Sequence, residues 1–303
     1  MNNNINDIVK YDKSKKIYTE DLQNIERRKV AETWINQSNT LDRWRHDRMY
    51  KKLSTVVNFF PDDSWLTIGD GRYGTDGNAL MKLGAKKVHC SDMCDDLLKI
   101  GKEKKFIKEY SEQNAENLKF TDNHFDWLYC KESLHHMPRP YIALKEMFRV
   151  AKKGVFLTEP RDIINDRNKL SVLLTIIKKI FNKKQESHGF ESAGNYLYTF
   201  SERDIEKFLL GIHVNIVAFK GINDAYIEGC EFVKMDTQNK NEIKMIKKLK
   251  HMITKQNLLD ILSFRKSGVL SSILFKSKPP KEFLDKLKRN GWIVKILPKN
   301  PYL

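Results

Sequence analysis

Apolar and polar positions along the chain change period at definite points, and those changes mark the elements. From Thr19 to about Phe60 the period is helical: Leu22, Ile25, Val30, Trp34 and Ile35 share one face, and a second helix starting at Thr40 turns Trp44, Met49, Leu53 and Val57 inward. Pro61-Asp-Asp-Ser closes this stretch, so residues 1–60 are expected to form a helical N-terminal cap. Short apolar runs then follow at 65–68, 86–92, 107–110, 125–130 and 154–158, with helical patterns at 75–83, 95–102 and 141–151 between them. Strands alternating with helices at this spacing predict an α/β fold, a Rossmann-like doubly wound parallel sheet with ligands at the carboxyl ends of its strands.

The alternation breaks over residues 161–200, which predicts a lid inserted after the fifth strand of the domain at 61–303. Within it, residues 167–184 place Leu170, Leu173, Leu174, Ile177, Ile180 and Phe181 on one face among lysines. Such a basic amphipathic helix suits a lid, and it also suits contact with a membrane surface or a second subunit. Ser201 followed by Asp204 signals a capped helix start. Runs at 214–219 and 269–275 complete a seven-stranded sheet, separated by a lysine-rich helix at 241–262. A last helix opens at Pro279 and stops at Gly291, after which residues 292–297 fit an edge strand.

Candidate chemistry begins at the first strand. Gly69-Asp-Gly-Arg-Tyr-Gly74 supplies three glycines where the chain must turn sharply and approach a ligand, and the helix behind it aims its first amides at the turn. The second strand ends in Asp92, about twenty residues further on, the place from which a carboxylate meets the ribose of a bound nucleotide.

Composition narrows the setting. The 303 residues are 40% hydrophobic, enough for a sizeable core, and no apolar run is long enough to cross a membrane. No leader pattern opens the chain, and Cys90, Cys94, Cys130 and Cys230 are too few and too irregular for a disulfide framework, so reduced thiols in a cytoplasmic protein are expected. The net charge of +16 favours acidic partners, whether nucleic acid, a phosphorylated small molecule or an anionic surface.

The stretch from the first strand through Gln113-Asn-Ala-Glu-Asn-Leu-Lys-Phe120, the segment Phe125-Asp-Trp-Leu-Tyr-Cys-Lys-Glu-Ser-Leu-His-His-Met-Pro138, and Ala143-Leu-Lys-Glu-Met-Phe-Arg-Val-Ala-Lys-Lys-Gly154 resembles class I S-adenosylmethionine-dependent methyltransferases. It is most similar to the small-molecule group that includes the quinone-biosynthesis enzymes. The motif from Cys130 to Pro140, taken with Gly194-Asn-Tyr-Leu-Tyr-Thr-Phe-Ser-Glu-Arg-Asp204, resembles methyltransferases of surface-polysaccharide biosynthesis. The resemblance implies S-adenosylmethionine as cofactor, with Gly69, Asp70, Gly71 and Gly74 along its methionine part. Asp92 would hold the ribose, Met93 would flank the adenine, and Asn114, Ala115 and Glu116 would read its edge. Lys131 and Glu132 would lie near the sulfonium. Two positions depart from the family pattern: Thr67 stands where an acid is usual, and Tyr73 where a glycine is usual.

A hydroxyl acceptor must lose a proton, and His135, His136, Glu132, Glu159 and His188 are the candidate bases. Glu132, His135 and His136 also resemble a divalent-metal element, for manganese or magnesium. Arg72, Arg139, Arg161, Arg45 and Arg48, with Trp44, could gather at the mouth to grip a phosphorylated or nucleotide-linked sugar. The expected function is methyl transfer to such an acceptor in surface-polysaccharide biosynthesis. The alternatives are an RNA methyltransferase, disfavoured by the lack of an Asn/Asp-Pro-Pro-Tyr-like ending on the fourth strand, and a non-catalytic cofactor-binding partner protein.

Overall fold

The structure is a computed structural model that describes residues 15–17, 19–20, 24–163, 165–166, 189–191 and 195–302. Leu22, the amphipathic stretch 167–184, His188 and Gly194 lie outside the described residues. Among the fully described elements, three helices precede the sheet: α1 (Ile25–Asn36), α2 (Leu41–Tyr50) and the single turn α3 (Ser54–Val57). Asn24 caps α1 by accepting from the amides of Glu26 and Arg27, and Thr40 caps α2 by accepting from Arg43. Helix α1 buries Ala31, Thr33 and Trp34, whereas Ile25, expected inside, is 70% exposed in its first turn.

The sheet strands and their helices follow as β1 (Ser64–Ile68), α4 (Thr75–Lys82), β2 (Lys87–Asp92), α5 (Asp96–Glu103), β3 (Glu109–Glu112), β4 (Phe125–Lys131), α6 (Pro140–Val150) and β5 (Ala151–Pro160). After the insertion come α7 (Glu202–Gly211), β6 (Ile216–Ile222), α8 (Lys240–Ile261), β7 (Val269–Phe275), α9 (Lys281–Arg289) and β8 (Ile293–Ile296). Ser201 and Asp204 form the expected reciprocal capping box on α7.

The strands make one eight-stranded sheet in the order β3-β2-β1-β4-β5-β7-β6-β8. The run at 292–297 thus adds an eighth strand, at the edge, to the seven counted. The first five strands are parallel, but β7 is antiparallel to both β5 and β6, and β8 is antiparallel to β6. A wholly parallel sheet was expected, and the cause of the difference is the connection around α8. It leaves β6 beside Ile222 and returns at Val269, which pairs with that same residue, so the chain never crosses to the opposite edge. Every residue of β7 is buried, which hides its direction, because a strand covered on both faces shows no alternation.

Two apolar layers sandwich the sheet. One centres on Leu128, Leu144, Met147 and Leu274 beneath α6 and α7, and the other on Trp65, Leu80, Trp127, Phe156 and Phe283 beneath α4 and α9. A smaller cluster matters more for the site. Leu41, Ala225, Cys230, Val233, Leu249 and Ile253 tie the start of α2 to α8 and to the loop after β6. Backbone bonds fasten the same parts: Leu41 N donates to Val233 O at 2.7 Å, Met235 N to Asn39 O at 2.9 Å and Asp42 N to Cys230 O at 3.2 Å. Leu249 is fully buried there, so Leu249→Ala should cost about 2–5 kcal/mol, read as a shift of the urea unfolding midpoint.

Candidate active site

The carboxyl ends of β1, β2 and β4 open, together with α1, α2 and the loop after β6, into a cavity of about 1270 Å³. That is roomy enough for a cofactor and a second small molecule. Of the ten residues expected to hold the cofactor, Gly69, Asp70, Gly71, Asp92, Met93, Asn114, Ala115, Glu116 and Lys131 line it, and Gly74 does not.

The glycine turn is shaped by what a side chain would strike. At Gly69, with φ of 71°, a Cβ would stand 1.8 Å from Ser133 Oγ, and at Gly71 it would stand 2.8 Å from the Asp92 carboxylate. Both glycines therefore let neighbouring strand ends close onto the turn. Gly74 works one step back as the left-handed residue that starts α4. Asp70 borders the cavity but turns its carboxylate inward, accepting from Thr67 Oγ1 at 2.9 Å, Asp76 N at 3.0 Å and Gly77 N at 2.9 Å. It is a helix cap rather than a cofactor ligand, and it answers the missing acid at position 67, since Thr67 now donates to it. Burial, with Asp76 close by, pushes its carboxyl well above the usual carboxylate range. Tyr73 takes the left-handed conformation at φ 59°, at a cost of about 1–2 kcal/mol, offset by its ring packing with Ala31 and Leu97.

On the next strand Asp92 keeps its carboxylate at the cavity wall, where Oδ1 accepts from Cys94 N at 2.8 Å. Burial pushes its pKa up to about 6, against the pull of the amides of Cys94, Gly71 and Met93. Asn114 Oδ1 accepts from Glu116 N at 2.9 Å, fixing a tight turn, and Glu116 accepts from Arg139 through both its amide and its Nε. Glu116, expected to read an adenine edge, is thus ion-paired with Arg139.

At the tip of β4 a chain of charge runs inward. Lys131 Nζ lies 3.7 Å from Asp76 Oδ1 and 3.2 Å from Glu132 Oε2, and Tyr50 donates to Asp76 at 2.6 Å. Burial works against the Lys131 charge, but Asp76 and Glu132 more than restore it and raise its pKa. Glu132 sits at φ 48°, a strained backbone that turns its side chain to Lys131 and leaves its Oε2 3.5 Å from His46 Nδ1. Burial and the nearby Lys131 and Arg72 hold His46 well below the ordinary histidine range, so it is neutral. Its Nδ1 is buried with no hydrogen-bond partner.

The two adjacent histidines behave differently. His135 Nδ1 lies 2.7 Å from Glu159 Oε2, and despite burial that bond and charge raise its pKa. Glu159 is 2% exposed and lies off the cavity, where it also accepts from the amides of Ser133 and Leu134, so it positions the turn and is no base for the acceptor. His136 Nδ1 lies 2.8 Å from Glu191 Oε2, and burial and the neighbouring His135 lower its pKa. The expected metal set is therefore dispersed: Glu132 faces Lys131, His135 faces Glu159 and His136 faces Glu191. Among the described residues no three His, Cys, Asp or Glu side chains converge on a metal position.

Four of the five arginines expected at the mouth are committed elsewhere, while Arg72 lies over the Trp34 ring and forms no ion pair among the described residues. Arg45 pairs with Asp42 and Asp224, Arg48 donates to Asn223 O at 2.7 Å, and Arg161 is bound to Asp166 and Glu202. Only Arg45 and Arg72 of that set reach the wall, and carboxylates there outnumber cations. His46, Tyr50, Asp76, Glu191, Tyr226 and Glu231 all escaped the sequence reading. Asp76 carried the one usable signal, an acid in the first turn of a helix behind a glycine turn.

Residues 66–158 match the family described as "Methyltransferase domain". Fold, glycine turn and strand-tip acid agree with that match, and over residues 66–158 the chain carries a methyltransferase domain. The chain is 26% identical over 166 residues to the ubiquinone/menaquinone biosynthesis C-methyltransferase UbiE of Psychromonas ingrahamii, covering 49% of this chain and 59% of that one. It is 39% identical over 75 residues to the demethylmenaquinone methyltransferase of Anoxybacillus flavithermus, covering 22% of this chain and 31% of that one. Less than two thirds of either relative's length is thereby spanned. Magnesium protoporphyrin IX methyltransferase of Synechocystis, solved with S-adenosylhomocysteine, covers 86% of this chain and 99% of that one at 13% identity and a TM-score of 0.47, a likeness too distant to bear on function. No helix among the described residues is long and apolar enough to cross a membrane.

The His135–Glu159 pair predicts a pH signature. Because His135 has its pKa raised on folding, its contribution is complete below the unfolded value near 6.5 and fades as pH rises through the folded value. His135→Asn should cost about 1.5–3 kcal/mol at pH 6 and progressively less by pH 9, read by urea unfolding at each pH.

Proposed function

We propose that the cavity holds S-adenosylmethionine between the glycine turn and Asp92 and passes its methyl group to a hydroxyl of a small molecule bound beside Glu132, His46 and His136. The observation that carries this reading is the convergence of the Gly69 turn, Asp92, the Asn114 turn and the β4 tip on one cavity. The Asp92 carboxylate, seated against Gly71 where a Cβ would strike it, stands at the cavity wall in a position to meet a ribose. When bound, the cofactor supplies an electrophilic methyl on a sulfonium.

The chain's own residues would do the rest. Asp92 accepts from the ribose hydroxyls, and Met93, Cys94, Leu97 and Ala115 enclose the base. Displacement at a methyl carbon is helped chiefly by holding the acceptor in line and excluding water, which the α1 and α2 cap provides. His136 serves as the base: Glu191 accepts the proton on Nδ1, which leaves the Nε2 lone pair available, and its lowered pKa keeps the ring neutral near pH 7. Glu132 and the neutral His46 line the path on the opposite side. This reading calls on no metal, since Glu132, His135 and His136 are each turned to a different partner.

A sugar-type acceptor from surface-glycan synthesis stays within this reading, though neither relative's name mentions a glycan. A phosphate grip by arginines receives no support from their pairing. A second reading follows from the UbiE relative, whose printed name is that of a C-methyltransferase: transfer to a carbon beside an ionised hydroxyl would use the same base. The methylated product, assigned by NMR after a screen of hydroxylated acceptors with labelled cofactor, decides between oxygen and carbon.

Two variants test the assignment. Gly71→Ala should weaken S-adenosylmethionine binding at least tenfold in calorimetry with little change in melting temperature. His136→Ala should lower kcat by about a hundredfold or more while sparing cofactor affinity; an unchanged kcat would remove the histidine from the mechanism.

A further inference from the structure

One part of the cavity wall carries a carboxylate that no ion pair among the described residues balances. Glu231 is 7% exposed and lines the cavity, and its Oε1 accepts from Tyr226 Oη at 2.7 Å. No Lys, Arg or His of the described residues stands within ion-pair distance of it. The nearest candidate, Arg45, is occupied by two other carboxylates, Asp42 and Asp224, and its guanidinium lies over the Tyr226 ring. Asp42 in turn feels Glu231 as a neighbouring negative charge. A buried carboxylate without a counter-charge is costly, and such groups in proteins are normally paired. Elsewhere on the cavity wall the buried Nδ1 of His46 has no hydrogen-bond partner. The aromatic rings of Trp34, Tyr226 and Phe232 line the same chamber. A carboxylate beside aromatic faces is the arrangement that recognises an ammonium group.

We infer that the acceptor carries a cationic amine as a recognition handle, seated on Glu231 among these rings, separate from the hydroxyl that receives the methyl group. This rests on the methyltransferase reading for the cavity's use and adds the class of acceptor: an amino alcohol or amino sugar in place of a phosphorylated one. The loop bearing Tyr226 and Glu231 is held by backbone bonds to the start of α2, so the handle site is fixed relative to the cap. The handle binds through its charge alone, and no bond to it forms or breaks.

The test uses three probes sharing one benzyl ring on the full chain, with and without S-adenosylhomocysteine: benzylamine, benzyl alcohol and benzyl phosphate, measured by calorimetry. Benzylamine should bind at least tenfold more tightly than the other two, and Glu231→Gln should erase that preference while leaving S-adenosylhomocysteine affinity unchanged. Equal binding of amine and alcohol to the natural chain, tighter binding of the phosphate, no binding of the amine, or an unchanged preference in Glu231→Gln would each overturn the inference. The probe ranking in the natural chain stands even if the variant fails to fold. Loss of S-adenosylhomocysteine binding with the amine preference intact would instead count against the methyltransferase assignment of the cavity.

Discussion

The site hangs on one buried ammonium. Lys131 is 8% exposed, and its Nζ stands between Asp76 at the start of α4 and Glu132 at the tip of β4, over the ring of Tyr50 from the cap. Three parts of the chain that share no sequence neighbourhood meet at that atom. Removing the charge would strand the buried Asp76 and leave the half-buried Glu132 without its partner, a loss usually larger than the net worth of the pairs themselves. Asp76 stays in place partly because Asp70 accepts from its amide, so the glycine turn, the helix start and the β4 tip move as one unit. That rigidity is what a methyl transfer by alignment requires.

Much of this was legible in the residues. The order of strands and helices followed from changes of period, and β7 lies over 269–275 as expected, whereas β3 and β6 each begin two residues later than expected. The glycine turn and Asp92 declared themselves by type and spacing, because close backbone approach can be met by little else. What stayed hidden was set by tertiary contact. Asp70 and Glu159 both looked like chemistry, and both proved to be carboxylates spent on buried amides, a role that depends on where their side chains turn. The loop containing Tyr226 and Glu231 has no periodicity at all, and it reaches the site only because Leu41, Val233 and Leu249 clasp it to the cap.

Whole-chain charge and the charge of the cavity wall differ in sign. A net +16 favours anionic partners, whereas the cavity wall gathers more carboxylates than cations. Of the arginines on that wall, Arg45 is held by Asp42 and Asp224, and Arg72 lies over the Trp34 ring. Whole-chain charge governs long-range steering and solubility, whereas a pocket's preference is decided by the few groups left without partners. Among the described residues those include Glu231, which has a hydrogen bond but no counter-charge, the neutral His46 and the Arg72 guanidinium.

The most direct check on this account is a crystal structure of the chain with S-adenosylhomocysteine. The account places the ribose on Asp92, the base beside Met93 and Ala115, and the sulfur facing the space between Glu132 and His136. A product molecule bound in the reverse direction, or outside this cavity, would contradict it.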